Sequence, residues 1–340
     1  MSFLKRAWLD IKDNIQEWTD NDEVCVRPYL SYATREKIII RGRVLENEGV
    51  VSIEENTVWD NFVQTIRMLE SDEKKNTQIL IEYEDKIFTT QTDDEGYFYS
   101  EIYHSHQEVD TDQLVWKTVN VTATEELNET GVASTAKAQF LLPHARTEFI
   151  IVSDIDDTVI ETGVNSFLKL EAIFKTLFKN HQTRTPFDGI AEVFHKLQHN
   201  SNGQQVNPVF YLSNSPWNLY HMIKSMFKFR DIPLGPMFLR DFGIKFGKER
   251  IKFNQHKKIN LERLMLDFHD KIFVLIGDAT EKDAPIYLEI YNKFPSRVKK
   301  IFIRASSKER QNEEIRNLIA QNPNAPFHLI THSDEILLNM

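Results

Sequence analysis

Two carboxylates separated by one residue, Asp154 and Asp156, lie in the segment 153–158 (SDIDDT), directly after the apolar run 149–152 (FIIV). A carboxylate in such a place can attack phosphorus and form an aspartyl-phosphate. A second carboxylate two residues on can protonate the leaving oxygen and then deprotonate the attacking water. The types and spacing of Asp154 and Asp156 therefore indicate phosphoryl transfer.

Further polar side chains follow these carboxylates in an order that suits the same chemistry. They are Thr158, Ser213, Asn214, Lys257, Asp278 and Asp283. Ser213 and nearby backbone N–H groups can hold phosphoryl oxygens, and a lysine can balance their negative charge. Converging carboxylates repel one another unless a hard cation lies among them, and oxygen ligands suit Mg²⁺. The set predicts a magnesium-dependent site.

Continuous apolar runs must position these side chains. The runs are residues 149–152, 209–212, 272–276, 301–303 and 327–330, with helical stretches between them. Strands that are buried on both faces have this composition, and their alternation with helices predicts an α/β fold with a doubly wound parallel sheet. Active groups of such sheets lie just past the carboxyl ends of the strands. Asp154, Ser213 and Asp278 all fall there.

The amino-terminal half has a different pattern, in which short runs of β-branched and aromatic residues alternate with polar turns. These runs are residues 37–44, 78–83 and 96–99. They predict a sandwich-like β domain over residues 23–142. The segment 93–96 (DDEG) fits a turn better than a calcium loop. Pro143 marks the boundary, after which we expect a catalytic domain over residues 148–340.

Residues 1–22 form a separate segment with an apolar stripe over residues 3–18. Its members are Leu4, Trp8, Ile11, Ile15 and Trp18. The spacing predicts an amphipathic helix, for which packing on protein is favoured and peripheral contact with a membrane surface is the alternative. The apolar side chains between Phe167 and Phe178 are likewise expected to pack in the core, the alternative being an apolar cover beside the site.

The composition excludes several classes of function. The chain has 340 residues, a formal net charge of −10 and a single cysteine, Cys25. An intramolecular disulfide or a zinc site of cysteine pairs cannot form, and the acidic balance gives no general attraction to nucleic acid. A secretory signal and an apolar stretch of about 18 residues are both absent from the sequence. We therefore expect a cytoplasmic protein, with any membrane contact being peripheral.

The motifs resemble those of the haloacid dehalogenase-like superfamily, whose Asp-x-Asp-x-Thr signature is matched by residues 154–158. An aspartate at the second acidic place favours hydrolases and mutases within that superfamily. The segment 211–220 (YLSNSPWNLY) is similar to the second motif of the App1-like phosphatidate phosphatase catalytic domain. Other segments that fit this family are residues 26–29, 41–44, 92–98, 256–257, 275–283 and 294–304.

The resemblance implies a Rossmann-like catalytic domain of the haloacid dehalogenase type, Mg²⁺ dependence and hydrolysis of phosphatidate to diacylglycerol and phosphate. It also implies roles for residues of this chain. Asp154 is the nucleophile, Asp156 the acid–base and Lys257 the charge-balancing lysine; Thr158, Ser213 and Asn214 bind phosphate; Asp154, the Asp156 carbonyl, Asp278 and Asp283 hold or assist the metal.

Two departures from the family pattern affect these expectations. Ala279 and Thr280 stand where the family usually has Ser-Gly, which bears on the positioning of phosphate or metal. Lys258 adjoins Lys257, so the sequence leaves open which of the two is the site lysine.

Alternatives to a lipid phosphatase also remain open. The same mechanism could serve a soluble or protein phosphomonoester, because substrate choice depends on surfaces outside the motifs. A partner-binding protein with a vestigial site is a third hypothesis, against which the intact carboxylates and Lys257 argue. The sequence makes no prediction of oligomeric state.

Overall fold

The amino-terminal part of the chain forms an eight-stranded sheet in the computed structural model, which describes residues 24–46, 74–105, 108–124, 134–155, 189–240 and 255–340. The strands are β1 (Val24–Pro28), β2 (Ser31–Ala33), β3 (Lys37–Glu46), β4 (Gln78–Tyr83), β5 (Lys86–Gln91), β6 (Tyr97–Tyr103), β7 (Trp116–Thr124) and β8 (Ser134–Leu141). Their order is β1-β3-β2-β8-β7-β4-β5, with β6 paired to β3. The pairs β1–β3, β2–β3, β4–β5 and β4–β7 are antiparallel. The predicted β-rich region is confirmed, while its packing as a two-layer sandwich stays a prediction.

The turn predicted over residues 93–96 is confirmed, and one side chain closes it. The Asp93 carboxylate accepts hydrogen bonds from the backbone N–H groups of Glu95 and Tyr97, both at 2.9 Å. Gly96 has a φ of 77°, which glycine adopts without steric cost. The aspartate therefore serves the backbone of the turn, as in other Asx turns.

Six parallel strands form a second sheet, and most of them coincide with the predicted apolar runs. They are β9 (Ile150–Asp154), β10 (Val209–Pro216), β11 (Met237–Arg240), β12 (Phe273–Asp278), β13 (Val298–Arg304) and β14 (Phe327–Ile330). Their order is β11-β10-β9-β12-β13-β14. The chain adds strands on one side as far as β11 and then crosses over to place β12 beside β9. Parallel α/β sheets bind ligands at such a switch point.

The described helices connect or follow the parallel strands. They are α1 (Ile190–Gln198), α2 (Tyr220–Phe229), α3 (His256–Asp267), α4 (Asp283–Lys293), α5 (Glu309–Gln321) and α6 (Glu335–Leu338). Every residue of β9, β10 and β12 is buried, which explains why these strands are continuous apolar runs. The predicted α/β fold with a parallel sheet is confirmed, and its assignment to the haloacid dehalogenase type stays a prediction.

The chain divides into two compact units. The first unit takes its described residues from 24–28, 41–100 and 118–138, and the second takes its own from 29–40, 101–117 and 139–340. All described residues of the predicted site lie in the second unit. The predicted helix over residues 3–18 and the apolar segment 167–178 lie outside the described residues. Within the described part of the chain, we find no helix that is long and apolar enough to cross a membrane.

Candidate active site

The ammonium group of Lys257 lies at the centre of the candidate site. Its Nζ atom is 2.7 Å from Oδ1 of Asp154, 2.6 Å from Oε2 of Glu281 and 2.9 Å from Oδ1 of Asp283. The Lys257 side chain is 2% exposed and those of Asp154 and Asp283 are 3% and 0% exposed. Buried charges are stable only when they are paired, so this cluster depends on the mutual compensation of its members.

Four elements bring these groups to one edge of the parallel sheet. Asp154 is the last residue of β9, and Asp278 is the last residue of the neighbouring strand β12. Lys257 lies in the first turn of α3, and Asp283 begins α4. The carboxyl ends of β9 and β12 are the switch point of the strand order, where ligand sites of parallel sheets form. The structure thus brings these four residues together, and their roles stay a prediction.

The Asp283 carboxylate joins Lys257 to the end of β12. Its Oδ1 atom accepts from Lys257, while its Oδ2 atom accepts from the backbone N–H of Asp278 at 3.0 Å. A Cβ atom at Gly277 would come within 2.7 Å of both Cβ and Oδ2 of Asp283. Glycine at this position is therefore what allows Asp283 to approach the strand so closely.

Asp278 is buried at the end of β12, and its carboxylate is held by the loop that follows. Burial raises the pKa of Asp278 and the Asp283 charge adds to the increase, whereas hydrogen bonds from Thr280 and the positive charge of Arg304 oppose it. The backbone N–H of Thr280 donates one of these bonds to Oδ1 of Asp278. A buried carboxylate among other carboxylates is a group that a cation would stabilise in its ionised form.

Two predicted phosphate ligands follow one another at the end of β10. The Ser213 hydroxyl is fully buried and accepts a hydrogen bond from the backbone N–H of Ser215 at 2.9 Å. Asn214 Nδ2 donates to Oε2 of Glu281 at 3.0 Å. Asn214 thus shares an acceptor with Lys257, which places both side chains around one oxygen atom.

Aromatic packing holds the chain immediately after these ligands. The rings of Trp217 and Tyr29 stack with centroids 4.3 Å apart and an interplanar angle of 14°. The ring of Tyr220 lies 4.5 Å from that of Tyr29, and its hydroxyl accepts a hydrogen bond from the backbone N–H of Leu30 at 2.7 Å. These contacts give a structural reason for the aromatic residues of segment 211–220, because they anchor the segment that carries Ser213 and Asn214.

Glu281 is the site residue that the sequence analysis missed. Its side chain is 24% exposed, and it accepts hydrogen bonds from both Lys257 and Asn214. It borders a pocket of about 240 Å³ that is also lined by Asn214, Lys257 and Ile286. The signal that could have found it is its place in the chain, as a carboxylate between the predicted site residues Asp278 and Asp283.

The carboxylates of the site fit a hard divalent cation. Carboxylate oxygens of Asp154, Glu281 and Asp283 all lie within 4.8 Å of one another. Among the described residues, these three carboxylates surround one ammonium group, that of Lys257, so negative charge is in excess around it. An oxygen-only set of this kind suits Mg²⁺.

The structure separates the two adjacent lysines. Lys258 is 38% exposed and pairs with the exposed Glu289, whereas Lys257 is buried among the site carboxylates. Lys257 is thus the lysine that contacts the candidate nucleophile. Two predicted site residues, Asp156 and Thr158, lie outside the described residues.

Known proteins are similar to this chain over the part that carries the candidate site. Residues 149–305 match the family model described as phosphatidate phosphatase APP1, catalytic domain. The chain is 28% identical over 177 residues to phosphatidate phosphatase APP1 of Saccharomyces cerevisiae, a match that covers 52% of this chain and 28% of the yeast protein. It is 32% identical over 164 residues to an uncharacterized protein of Schizosaccharomyces pombe, covering 47% of this chain and 25% of that protein.

The chain therefore spans about a quarter of the length of the curated relatives that it matches. Among solved structures, a carbohydrate acetylesterase from Xanthomonas citri is similar over 81% of this chain and 66% of its own, with 9% identity and a TM-score of 0.28. Similarity this low supports no inference about fold or function.

Proposed function

We propose that the protein is a Mg²⁺-dependent phosphatase that hydrolyses phosphatidate to diacylglycerol and phosphate, because residues 149–305 match the model of the phosphatidate phosphatase APP1 catalytic domain. The observation that carries this proposal is the contact of Lys257 with Asp154 at 2.7 Å, at the switch point of the parallel sheet. A buried lysine beside a candidate nucleophile, with further carboxylates around it, matches the needs of phosphoryl transfer.

In the proposed reaction, a carboxylate oxygen of Asp154 attacks phosphorus and the bond from phosphorus to the diacylglycerol oxygen breaks. Asp156 gives its proton to that leaving oxygen. Water then attacks the phosphorus of the aspartyl-phosphate, the bond from phosphorus to Asp154 breaks, and Asp156 takes the proton of the attacking water. Asp154 and Asp156 are thereby returned to their starting protonation states.

The remaining residues bind the transferred group and hold the nucleophile. Lys257 keeps Asp154 ionised and oriented through their ion pair, and it balances charge on the phosphoryl oxygens. Ser213, Asn214 and Thr158 are the proposed ligands of those oxygens. Asp283 fixes Lys257 against the end of β12, and this contact supports a positioning role for its carboxylate.

The carboxylates of Asp154 and Asp278 and the backbone carbonyl of Asp156 are the proposed Mg²⁺ ligands, with Asp283 assisting. Bound Mg²⁺ would neutralise charge on the phosphoryl oxygens and on the leaving group. The support for this assignment is the placement of two buried carboxylates, Asp154 and Asp278, at the carboxyl ends of neighbouring strands, with Asp283 beside Asp278.

The proposed substrate places the protein at a lipid surface. We propose that the catalytic domain spans residues 148–340, after the β domain over residues 23–142. Residues 3–18 pack on protein or, as the alternative, supply a peripheral membrane contact for an otherwise cytoplasmic protein. The relatedness to the yeast phosphatidate phosphatase supports the lipid substrate. The amphipathic pattern of residues 3–18 supports the membrane contact.

The test measures phosphate release by the purified full chain with and without Mg²⁺. Phosphatidate in mixed detergent micelles is compared with a soluble sugar phosphate, a nucleotide and a phosphopeptide. We expect Mg²⁺-dependent release that is fastest with phosphatidate. Faster release from a soluble ester would overturn the lipid substrate while keeping the mechanism, and no release from any ester would overturn the proposed function.

A further inference from the structure

The hydrogen bonds of Lys257 restrict how it can contact a phosphate group. An ammonium group has three N–H donors, and Nζ of Lys257 already contacts three carboxylate oxygens at 2.6–2.9 Å, those of Asp154, Glu281 and Asp283. Lys257 can therefore donate to a phosphoryl oxygen only if one of these bonds is released.

Of the three partners, Glu281 has the most exposed side chain. Asp283 is fully buried, and its second carboxylate oxygen is held by the backbone N–H of Asp278. Asp154 ends strand β9, and its side chain is 3% exposed. The Glu281 side chain is 24% exposed and lies in the loop before α4, beside the pocket. Its release from Lys257 would move the least buried of the three carboxylates.

The donors that hold Glu281 are the same two that the proposed function assigns to phosphate. Its Oε2 atom is 2.6 Å from Nζ of Lys257 and 3.0 Å from Nδ2 of Asn214. A phosphoryl oxygen in that place would also carry negative charge, and it would accept hydrogen bonds from both groups. A carboxylate that is held in this way resembles one edge of a bound phosphate.

We propose that Oε2 of Glu281 and a phosphoryl oxygen compete for Lys257 and Asn214, so that Glu281 must leave both donors before phosphate binds. Glu281 is then a built-in competitor of the substrate and of the phosphate product. When the product leaves, the carboxylate returns to the two donors and favours its release. This inference rests on the proposed phosphate-binding roles of Lys257 and Asn214.

The competition predicts that variants of Glu281 bind phosphate more tightly than the wild type. Glu281→Ala removes the competing acceptor and its charge, so the Kd for inorganic phosphate should fall by about 10-fold, the order expected for one charge-assisted hydrogen bond. Glu281→Gln keeps a neutral acceptor of the same length and should give a smaller decrease. Titration calorimetry of inorganic phosphate into the full chain measures both, with and without Mg²⁺.

A matched control is Glu289→Gln, which neutralises an exposed glutamate in α4 that pairs with Lys258 outside the site. We expect its Kd for phosphate to equal that of the wild type. A thermal unfolding curve of each variant confirms that it is folded. Because Glu281→Gln preserves the size of the side chain, it supplies the test if Glu281→Ala does not fold.

Two results would overturn the competition. An unchanged or weaker affinity for phosphate in both Glu281 variants would show that the carboxylate positions Lys257 and Asn214 rather than competing for them. An unchanged affinity without Mg²⁺, together with a raised Mg²⁺ requirement, would show that Glu281 is a metal ligand.

The calorimetric result is independent of turnover. If the wild type hydrolyses no ester while the Glu281 variants bind phosphate more tightly, the proposed function fails and the competition stands. If the wild type hydrolyses phosphatidate and the variants show no tighter binding, the function stands and the competition fails. In an active enzyme, inhibition by inorganic phosphate should also be about 10-fold stronger in Glu281→Ala than in the wild type.

Discussion

Nζ of Lys257 lies 2.7 Å from Oδ1 of Asp154, although 103 positions separate the two residues in the chain. The contact joins the first turn of α3 to the end of β9. An ion pair in this place orients one oxygen of Asp154 and keeps the carboxylate charged, which a nucleophile requires. It is also one of few contacts that can compensate these buried charges. The pair therefore serves both stability and the proposed chemistry.

The first prediction concerns the nucleophile. Asp154→Asn keeps the size of the side chain and an oxygen that can accept from Lys257, but it removes the nucleophilic carboxylate. We expect kcat for phosphate release to fall by at least about 10³-fold, as when a covalent nucleophile is lost, while the protein stays folded. Asp110→Asn, at an exposed aspartate paired with Arg146, is the control and should keep wild-type activity. Full activity in Asp154→Asn would exclude the aspartyl-phosphate mechanism.

The second prediction compares the adjacent lysines. Lys257→Met leaves three carboxylates without their buried cation, so we expect the free energy of unfolding to fall by about 3–5 kcal/mol and activity to be lost. Lys258→Met removes only an exposed pair with Glu289 and should leave stability and activity unchanged. Chemical denaturation and phosphate release measure the two effects. An equal loss of stability and activity in both variants would contradict the assignment of Lys257 as the lysine of the site.

The third prediction concerns the close approach at Gly277. In Gly277→Ala the new Cβ would meet Asp283 at 2.7 Å and the Tyr287 ring at 2.9 Å. We expect Asp283 to shift and the free energy of unfolding to fall by about 1–3 kcal/mol. We also expect kcat to fall further than in a variant that loses similar stability elsewhere in the chain. Gly203→Ala is such a comparison, because Gly203 has a φ of 77° and open space around it. It should lose stability through backbone strain while keeping its activity.

The fourth prediction concerns the metal. We expect a chelator to abolish phosphate release and Mg²⁺ to restore it. Added Mg²⁺ should also raise the melting temperature of the wild type, because a ligand that binds only the folded state stabilises it. Asp278→Asn should lose most of this thermal shift, whereas Asp231→Asn, whose side chain is 90% exposed, should keep it. Activity that survives chelation would contradict the magnesium assignment.

The fifth prediction concerns stability as a function of pH. Burial lowers the pKa of His144 below its usual value of 6.5, and the charge of Arg146 adds to this, whereas its bond to Thr111 and the charge of Asp110 oppose it. The ring nitrogen Nδ1 accepts a hydrogen bond from the backbone N–H of Arg146 at 3.1 Å, which the protonated ring cannot do. The native state therefore binds the proton less readily than the unfolded chain.

The sign of the effect follows from this difference in proton binding. As the pH falls below 6.5, the unfolded chain takes up the proton first, so the free energy of unfolding decreases until the pH passes the lower native pKa of His144. Above pH 6.5 the ring is neutral in both states, so the full contribution of His144 to the free energy of unfolding is present. Denaturation curves between pH 8 and pH 5 measure the slope, which should be smaller in His144→Gln. An equal slope in the variant would show that other groups cause the pH dependence.

The sequence alone determined most of the parallel strands and the polar residues that end them. Strands that are buried on both faces are apolar along most of their length, so β9, β10 and β12 are visible as continuous apolar runs without any knowledge of the fold. The carboxyl ends of such strands meet at one edge, which made the convergence of Asp154 and Asp278 predictable. Strand β11, Met237–Arg240, was missed, because Pro233, Gly235 and Pro236 directly before it are typical of a loop.

Only the tertiary structure decided which side chains meet. Lys257 and Lys258 have the same side chain, and the rotation of α3 about its axis decides which one is buried and which is exposed. Glu281 lies in a segment whose residues are typical of a surface loop. Its place in the site is seen only in two contacts, which span 24 and 67 positions of the chain. Distances between residues that are far apart in the chain depend on how the helices pack on the sheet, and local residue patterns do not predict that packing.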